Sequence, residues 1–357
     1  MRALLQPLAS DLDYLSARLH TRRSLIAEGD RLDELCRVET NAELAAEIHP
    51  EALAQSAAGF QLQLVQDLVD ELSGLLPHLN VTGAGLVGWM LVRFQVENLK
   101  VLVRGIAAGT SPELLREHVV SLPRHLVLDT QALATAQSLD QFVNLIPKGP
   151  LRASAKKVIE VYGKPPKPFF LEGALDGGYF RELLARLSRL SGEDRELIQP
   201  LVSQEVDTFH LMLLARGKFH YGLTSELLLP LHVPGTGIPR ARFESMLAVP
   251  DLLTAAGQAV GRVIDTLPQE HKGPENKAAS VDAAALEALA WTRYLRLSNS
   301  AFRRSHMGLG AVVGYAGLRR VEVANLITVS EGVRGGIPAE AIRSRMIPRT
   351  EFVPEYV

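Results

Sequence analysis

The sequence predicts an all-α protein made of three helical units of like topology. Three observations carry this. Leu and Ala dominate the 357 residues, aromatics make up only 6%, and β-branched runs of the kind that form strands are few. Apolar residues recur at helical spacing throughout. One short motif occurs three times and each time ends in glycine: Val96-Glu97-Asn98-Leu99 through Arg104 to Gly105, Val206-Asp207 with His210-Leu211 through Arg216 to Gly217, and Val321-Glu322 with Asn325-Leu326 through Glu331 to Gly332. The polar anchors Asn98, His210 and Asn325 are 112 and 115 positions apart. That period is too long for a solenoid, whose repeats run about 20 to 50 residues, and is domain-sized.

In chain order, Leu12, Leu15 and Leu19 mark a first helix. Leu62, Leu64, Val65, Leu68, Val69 and Leu72 mark a second, closing near Gly74. Phe180, Leu183, Leu184 and Leu187 mark a third, with Asp176 as its expected N-cap. Ala284, Leu286, Leu289, Ala290, Tyr294, Leu297 and Phe302 mark a long fourth. Pro and Gly punctuate the chain at Pro147–Pro150, Gly163–Pro168, Pro230–Pro239 and Pro268–Pro274, and the polar stretch from Pro268 to Lys277 reads as mobile. With the motif as a ruler, the units span 1–122, 123–236 and 237–357. Gly105, Gly217 and Gly332 read as helix C-terminal glycines.

Composition excludes several functions. A formal net charge of −2 gives no electrostatic case for nucleic acid. Cys36 is the only cysteine, so no internal disulfide and no cysteine-based structural metal site can form, which fits a reducing cytoplasm. Acidic residues at positions 11 and 13 break the N-terminal apolar run, so no secretory signal is expected. No run reaches the 18 apolar residues that a membrane span needs.

Gly83-Ala84-Gly85-Leu86-Val87-Gly88 spells a dinucleotide fingerprint, which requires a preceding strand. Only Leu79-Asn80-Val81 stands there. A similar glycine set, Gly308 to Gly314, lies at nearly the same place in the third unit, so close helix packing is the reading preferred over nucleotide binding. The ten histidines show no metal-ligand spacing, and no nucleophile elbow, P-loop or kinase set is present. Cys36 sits in a helical pattern, not in a nucleophile's setting. Glu97, Asp207 and Glu322 occur singly, one per unit, where general acid–base chemistry would want a pair; pairing with nearby arginines or helix capping is expected. No cofactor and no catalytic residue is expected. Glu97, Asn98, Arg104, Asp207, His210, Arg216, Glu322 and Asn325 are expected in structural or cavity-lining roles. An arginine-rich final third offers Arg319, Arg320, Arg343 and Arg345 as candidate contacts to an acidic partner.

These residues resemble the C/d subunit family of rotary V-type and A-type ATPases over nearly the whole chain. Tyr14 to Leu19 is similar to the family's opening Tyr-x-x-Ala-Arg helix. Phe94 to Lys100 with Arg104 resembles its Asp-x-x-Asn-Leu-Lys-x-x-x-Arg segment, and Leu175 to Phe180 its Leu-Asp-x-x-Tyr-Phe. Glu205-Val206-Asp207 with Leu211, and Glu322 to Leu326 followed by Ile337, Glu340, Ile342 and Arg343, resemble its later motifs. This chain departs in having His210 for Asn and Leu318-Arg319-Arg320 where a Lys-Glu pair is common. The resemblance implies a funnel of three units about a pseudo-threefold axis. It implies a non-catalytic adaptor on the cytoplasmic face of a membrane, receiving the central-shaft subunits on one side and seated on the proteolipid ring on the other. It would couple ATP hydrolysis or synthesis to proton or sodium transport. Two other readings stay open: a helical scaffold unrelated to rotary motors, and a nucleotide-binding enzyme using Gly83 to Gly88.

Overall fold

The computed structural model describes residues 9–49, 56–164, 166–267, 283–305 and 308–347. Regular structure among them is helical, apart from one isolated bridge between Val260 and Ile264. The first third holds α1 (Ala9–Arg23), α2 (Gly29–Leu35), α3 (Asn41–Ile48), α4 (Ala57–Ser73), the 28-residue α5 (Val81–Ala108) and the short α6 (Pro112–Glu117). The middle third holds α7 (Thr130–Ala134), α8 (Leu139–Leu145), α9 (Pro150–Tyr162), α10 (Pro168–Leu187) and α11 (Gly192–Met212). The last of these runs on as a π-helical stretch, Leu213–His220, before α12 (Ser225–Leu228). The last third holds α13 (Arg240–Ala248), α14 (Leu252–Gly257), α15 (Ala283–Arg304), α16 (Leu309–Arg334) and α17 (Ala339–Arg343). The polar stretch from Pro268 to Lys277 lies outside the described residues, as does the side chain of Leu12.

The local chemistry follows the sequence. Leu64, Leu68 and Leu72 bury one stripe of α4, and Gly74 caps its C-terminus. Asn80 starts α5, its side chain accepting the Gly83 N–H at 2.7 Å. The Asp176 cap is corrected: α10 begins at Pro168, whose missing N–H costs nothing in a first turn, and Asp176 lies buried in the helix interior.

Three long helix pairs organise the molecule: α4 with α5, α10 with α11, and α15 with α16. The second helix of each pair packs on the first helix of another. Thus α5 lies against α10, α11 against α15, and α16 returns to α4. A large apolar core joins the first third to α10, α11 and α16, and a second core sits under α10 to α15. The α15–α16 seam is the tightest, because glycines stripe it. A Cβ added at Gly314 would lie 2.6 Å from the Phe302 nitrogen and 2.7 Å from the Ser298 carbonyl oxygen.

Candidate functional site

The three motifs make the same contacts. Asn98 donates from Nδ2 to the Val120 carbonyl at 2.8 Å and accepts the Val120 N–H at 3.0 Å, 22 residues on. Asn325 Oδ1 accepts the Ile347 N–H at 2.9 Å, again 22 residues on. His210 Nε2 accepts the Val233 N–H at 3.0 Å, 23 residues on. All three anchors are buried. Each fastens the strap that follows its helix, and each strap amide would otherwise lose its partner at a cost of about 1–3 kcal/mol.

The motif glycines sit one turn before the helix ends, which corrects their reading as terminal residues. The left-handed closing residues are Gly109 (φ 71°), Gly222 (φ 65°) and Gly336 (φ 62°). The motif glycine instead offers its carbonyl to the residue after that turn: Thr110 to Gly105, Leu223 to Gly217 and Ile337 to Gly332, each at 2.9 Å. Its missing side chain admits an apolar residue of the strap. Leu115 lies over Gly105, Leu228 over Gly217 and Ile342 over Gly332; an added Cβ would stand 2.6 Å from Leu228 and 2.5 Å from Ile342. The middle motif carries one residue more between glycine and strap, and its wide π-helical turn absorbs it.

Two further positions repeat, and the first corrects the grouping of Glu97 with Asp207 and Glu322, because Gln95 holds that place. Three residues before the anchor, Gln95 donates to the Leu126 carbonyl at 2.5 Å. Its counterpart Asp207 accepts the N–H groups of Gly237 and Ile238 at 2.9 and 3.0 Å, and Glu322 accepts the Ala27 N–H at 2.5 Å. Five residues before the anchor stand Arg93, Glu205 and Arg320, and these converge. Arg320 pairs with Glu205 at 2.8 Å, and the guanidinium groups of Arg93 and Arg320 lie over the Tyr179 and Tyr294 rings at 5.7 and 5.4 Å. Burial opposes the charge on Arg93, but Glu97 and Asp176 outweigh it and hold its proton more firmly than usual.

A cavity of about 160 Å³ lies among these side chains, walled by α5, α10, α11, α15 and α16. It shares Lys100, Asp176, Phe209, Met212 and Arg216 with a wider recess of about 570 Å³ toward the C-terminal ends of α5 and α11. The charged part of the lining is internally matched and stands beside Phe180, Phe209, Met212 and Trp291. Lys100 pairs with Asp176 at 2.7 Å, Arg104 with Glu172 at 2.6 Å and Arg216 with Glu287 at 2.6 Å. Each of these carboxylates holds a cation. Among the described residues no three His, Cys, Asp or Glu side chains stand close enough to share a metal ion.

The remaining candidates separate. Glu97 bridges Arg93 at 2.6 Å and Lys100 at 3.4 Å, at the cavity's edge. Arg319 turns inward to Glu71 at 2.9 Å and also holds Glu322, and Arg320 is spent on Glu205, so neither presents a free charge at the surface. Arg343 pairs with Asp33 at 2.6 Å, and Arg345 is exposed. Gly83 to Gly88 form the first turns of α5 with a 3-10 turn, Leu76–His78, before them and no strand among the described residues. Gly83 packs on Leu309 of α16. Cys36 is buried against Met346, and that burial pushes its thiol up, away from nucleophile chemistry. Among the described residues no helix is long and apolar enough to cross a membrane.

Known proteins share nearly the full extent of this chain. The family model described as ATP synthase (C/AC39) subunit matches residues 15–345. The C subunit of the V-type ATP synthase of Deinococcus radiodurans is 24% identical over 348 residues, covering 93% of this chain and 90% of the relative. The C subunit of the A-type ATP synthase of Methanocaldococcus jannaschii is 21% identical over 358 residues, covering 94% and 86%. That of Methanosarcina mazei is 24% identical over 318 residues, covering 85% and 80%. With the matched segment running from the first helix to the last strap, the chain belongs to the ATP synthase C/AC39 subunit family.

Proposed function

We propose that the protein is a non-catalytic adaptor in a V/A-type rotary ATPase, linking the central-shaft subunits to the membrane proteolipid ring. In this reading its thirds, 1–122, 123–236 and 237–357, form a funnel about a pseudo-threefold axis. The observation that carries it is the cyclic packing of three helix pairs, five of whose helices wall a partly charged cavity of about 160 Å³, in a chain of this family. The motif contacts repeat in each third and support the same division. A recess of about 570 Å³ is on the order of one turn of an α-helix, roughly 10–12 Å across with a 5.4 Å pitch. It therefore suits the end of a shaft. The matched ion pairs lining it suit a socket rather than an active site. Exposed Arg345 and partly exposed Arg343 remain as candidate partner contacts, while Arg319 and Arg320 hold the adaptor itself together. The protein would sit at the cytoplasmic face of the membrane and transmit torque to proton or sodium transport.

Deletion of the chain from cells carrying its ATPase tests this. The head and shaft should still hydrolyse ATP but leave the membrane fraction, and ATP-driven ion pumping should stop. Pumping and membrane attachment that survive deletion would refute the adaptor role. The purified chain alone should hydrolyse no ATP, and hydrolysis lost on Gly85→Ala would revive the nucleotide reading.

A further inference from the structure

Two straps are fastened by an amide and one by a titratable ring. Asn98 and Asn325 hold theirs at any pH. His210 can accept the Val233 N–H only while its Nε2 carries no proton, so the neutral ring's proton sits on Nδ1, 3.6 Å from Asp207 Oδ1. The ring is fully buried. The His232 ring stacks on it at 4.5 Å, and its Nε2 lies 2.9 Å from the Ile238 carbonyl oxygen. Asp207 holds the Gly237 and Ile238 amides of the same strap. The titratable groups facing His210 are Asp207 from its own helix and His232 from the strap; α13 contributes the uncharged Phe243. Arg262 reaches the Gly237 carbonyl from the outer edge at 3.5 Å.

We propose that His210 is an acid-labile clasp: protonation at Nε2 sets two N–H donors against each other and releases residues 232–238 from α11, in the middle third alone. The added charge would lie in a dry site beside a second imidazole, with one carboxylate that already serves two amides. Burial is the largest influence on His210 and lowers its proton affinity, against a smaller opposing pull from Asp207. The sign follows. A ring that protonates more readily when released stabilises the closed strap above the ordinary histidine pKa of about 6.5, and this is lost as pH falls below it. Between pH 7.5 and 5.5 a released ring takes up a proton that the clasped ring refuses, so the opening constant rises by up to about tenfold.

The test is amide hydrogen exchange on the full chain at pH 7.5 and 5.5, corrected for intrinsic rates, with the straps around Val120 and Ile347 as internal references. The amides of Val233, Gly237 and Ile238 should lose up to about tenfold protection, the references should hold, and His210→Asn should abolish the difference. If the three straps change in parallel, or the middle one is flat, the clasp is refuted. A His210→Asn chain that keeps the full acid response would refute it equally. Should that variant not fold, the three-strap comparison within the native chain decides alone.

Discussion

Replacing Gly314 with alanine tests the packing logic of the last helix pair. The new Cβ would stand 2.6 Å from the Phe302 nitrogen and 2.7 Å from the Ser298 carbonyl oxygen, both backbone atoms of α15. Ordinary contact needs about 3.5–4.0 Å, so the helices must part by roughly 1 Å. No flexible side chain can yield instead. Such a gap forfeits about a quarter to a half of each dispersion contact along the seam, and overpacking typically costs about 1–3 kcal/mol. Removing a helical glycine returns about 0.5–1 kcal/mol. The net expectation is a loss of about 1–2 kcal/mol. Gly85 is the control, since its added Cβ meets nothing nearer than the Arg186 guanidinium at 3.6 Å, and Gly85→Ala should be neutral or stabilising by about 0.5–1 kcal/mol. Urea unfolding followed by circular dichroism reads both. A Gly314→Ala midpoint at or above wild type, or equal losses in the two variants, would refute the argument.

Gly332→Ala crowds Ile342, a side chain rather than backbone; combining it with Ile342→Ala should cost less than the sum of the two by about 0.5–3 kcal/mol, and strict additivity would show that the pair does not touch. Asp176→Asn strips the carboxylate from Arg93 and Lys100 in a largely dry setting and should cost about 3–5 kcal/mol, while exposed Arg345→Ala should stay within about 0.5 kcal/mol; similar urea midpoints for the two would contradict this. Burial alone would raise the Glu71 carboxyl, but Arg319, the Tyr315 hydroxyl and Arg22 outweigh it and hold it below the usual glutamate range. Its folded pKa is therefore depressed, and its stabilisation is whole above the unfolded value and lost as pH falls below it. Glu71→Gln should flatten part of the stability loss between about pH 5 and 3, and an unchanged acid profile would exclude that role.

The helices were legible because their signals are local, as in the apolar stripe on α4; the start of α10 was not, since Pro168 and not Asp176 opens it. The triple motif was legible as a pattern, with His210 standing in the place of Asn98 and Asn325. What it fastens was not, because its partner lies on a strap 23 residues away. The glycines misled by one turn, since a left-handed helix end here uses a second glycine that the motif does not include. Arg319 and Arg320 read as surface charge because, apart from Glu322 beside Arg319, the acids that claim them are remote. Glu71 is 248 residues from Arg319, and Glu205 belongs to the middle third. Gln95 escaped notice because it is neutral, although it occupies the place of Asp207 and Glu322 and does comparable work on a backbone group. The cavity could not be read at all from spacing, because its walls come from helices of all three thirds.

The return of α16 to α4 makes the order of synthesis matter. In an open stack of repeats the earliest unit can settle on its neighbour as soon as both exist. Here the first helix pair has a face that waits for the last. Until residue 334 has left the ribosome, the α4 stripe that meets α16 lies open to water, and the nascent chain carries an apolar seam that only its own end can cover. A cut that removed the final third would strip α11 of α15 and α4 of α16 together. Losing one third thus opens two seams, and none of the three described helix pairs can be shed as a cap.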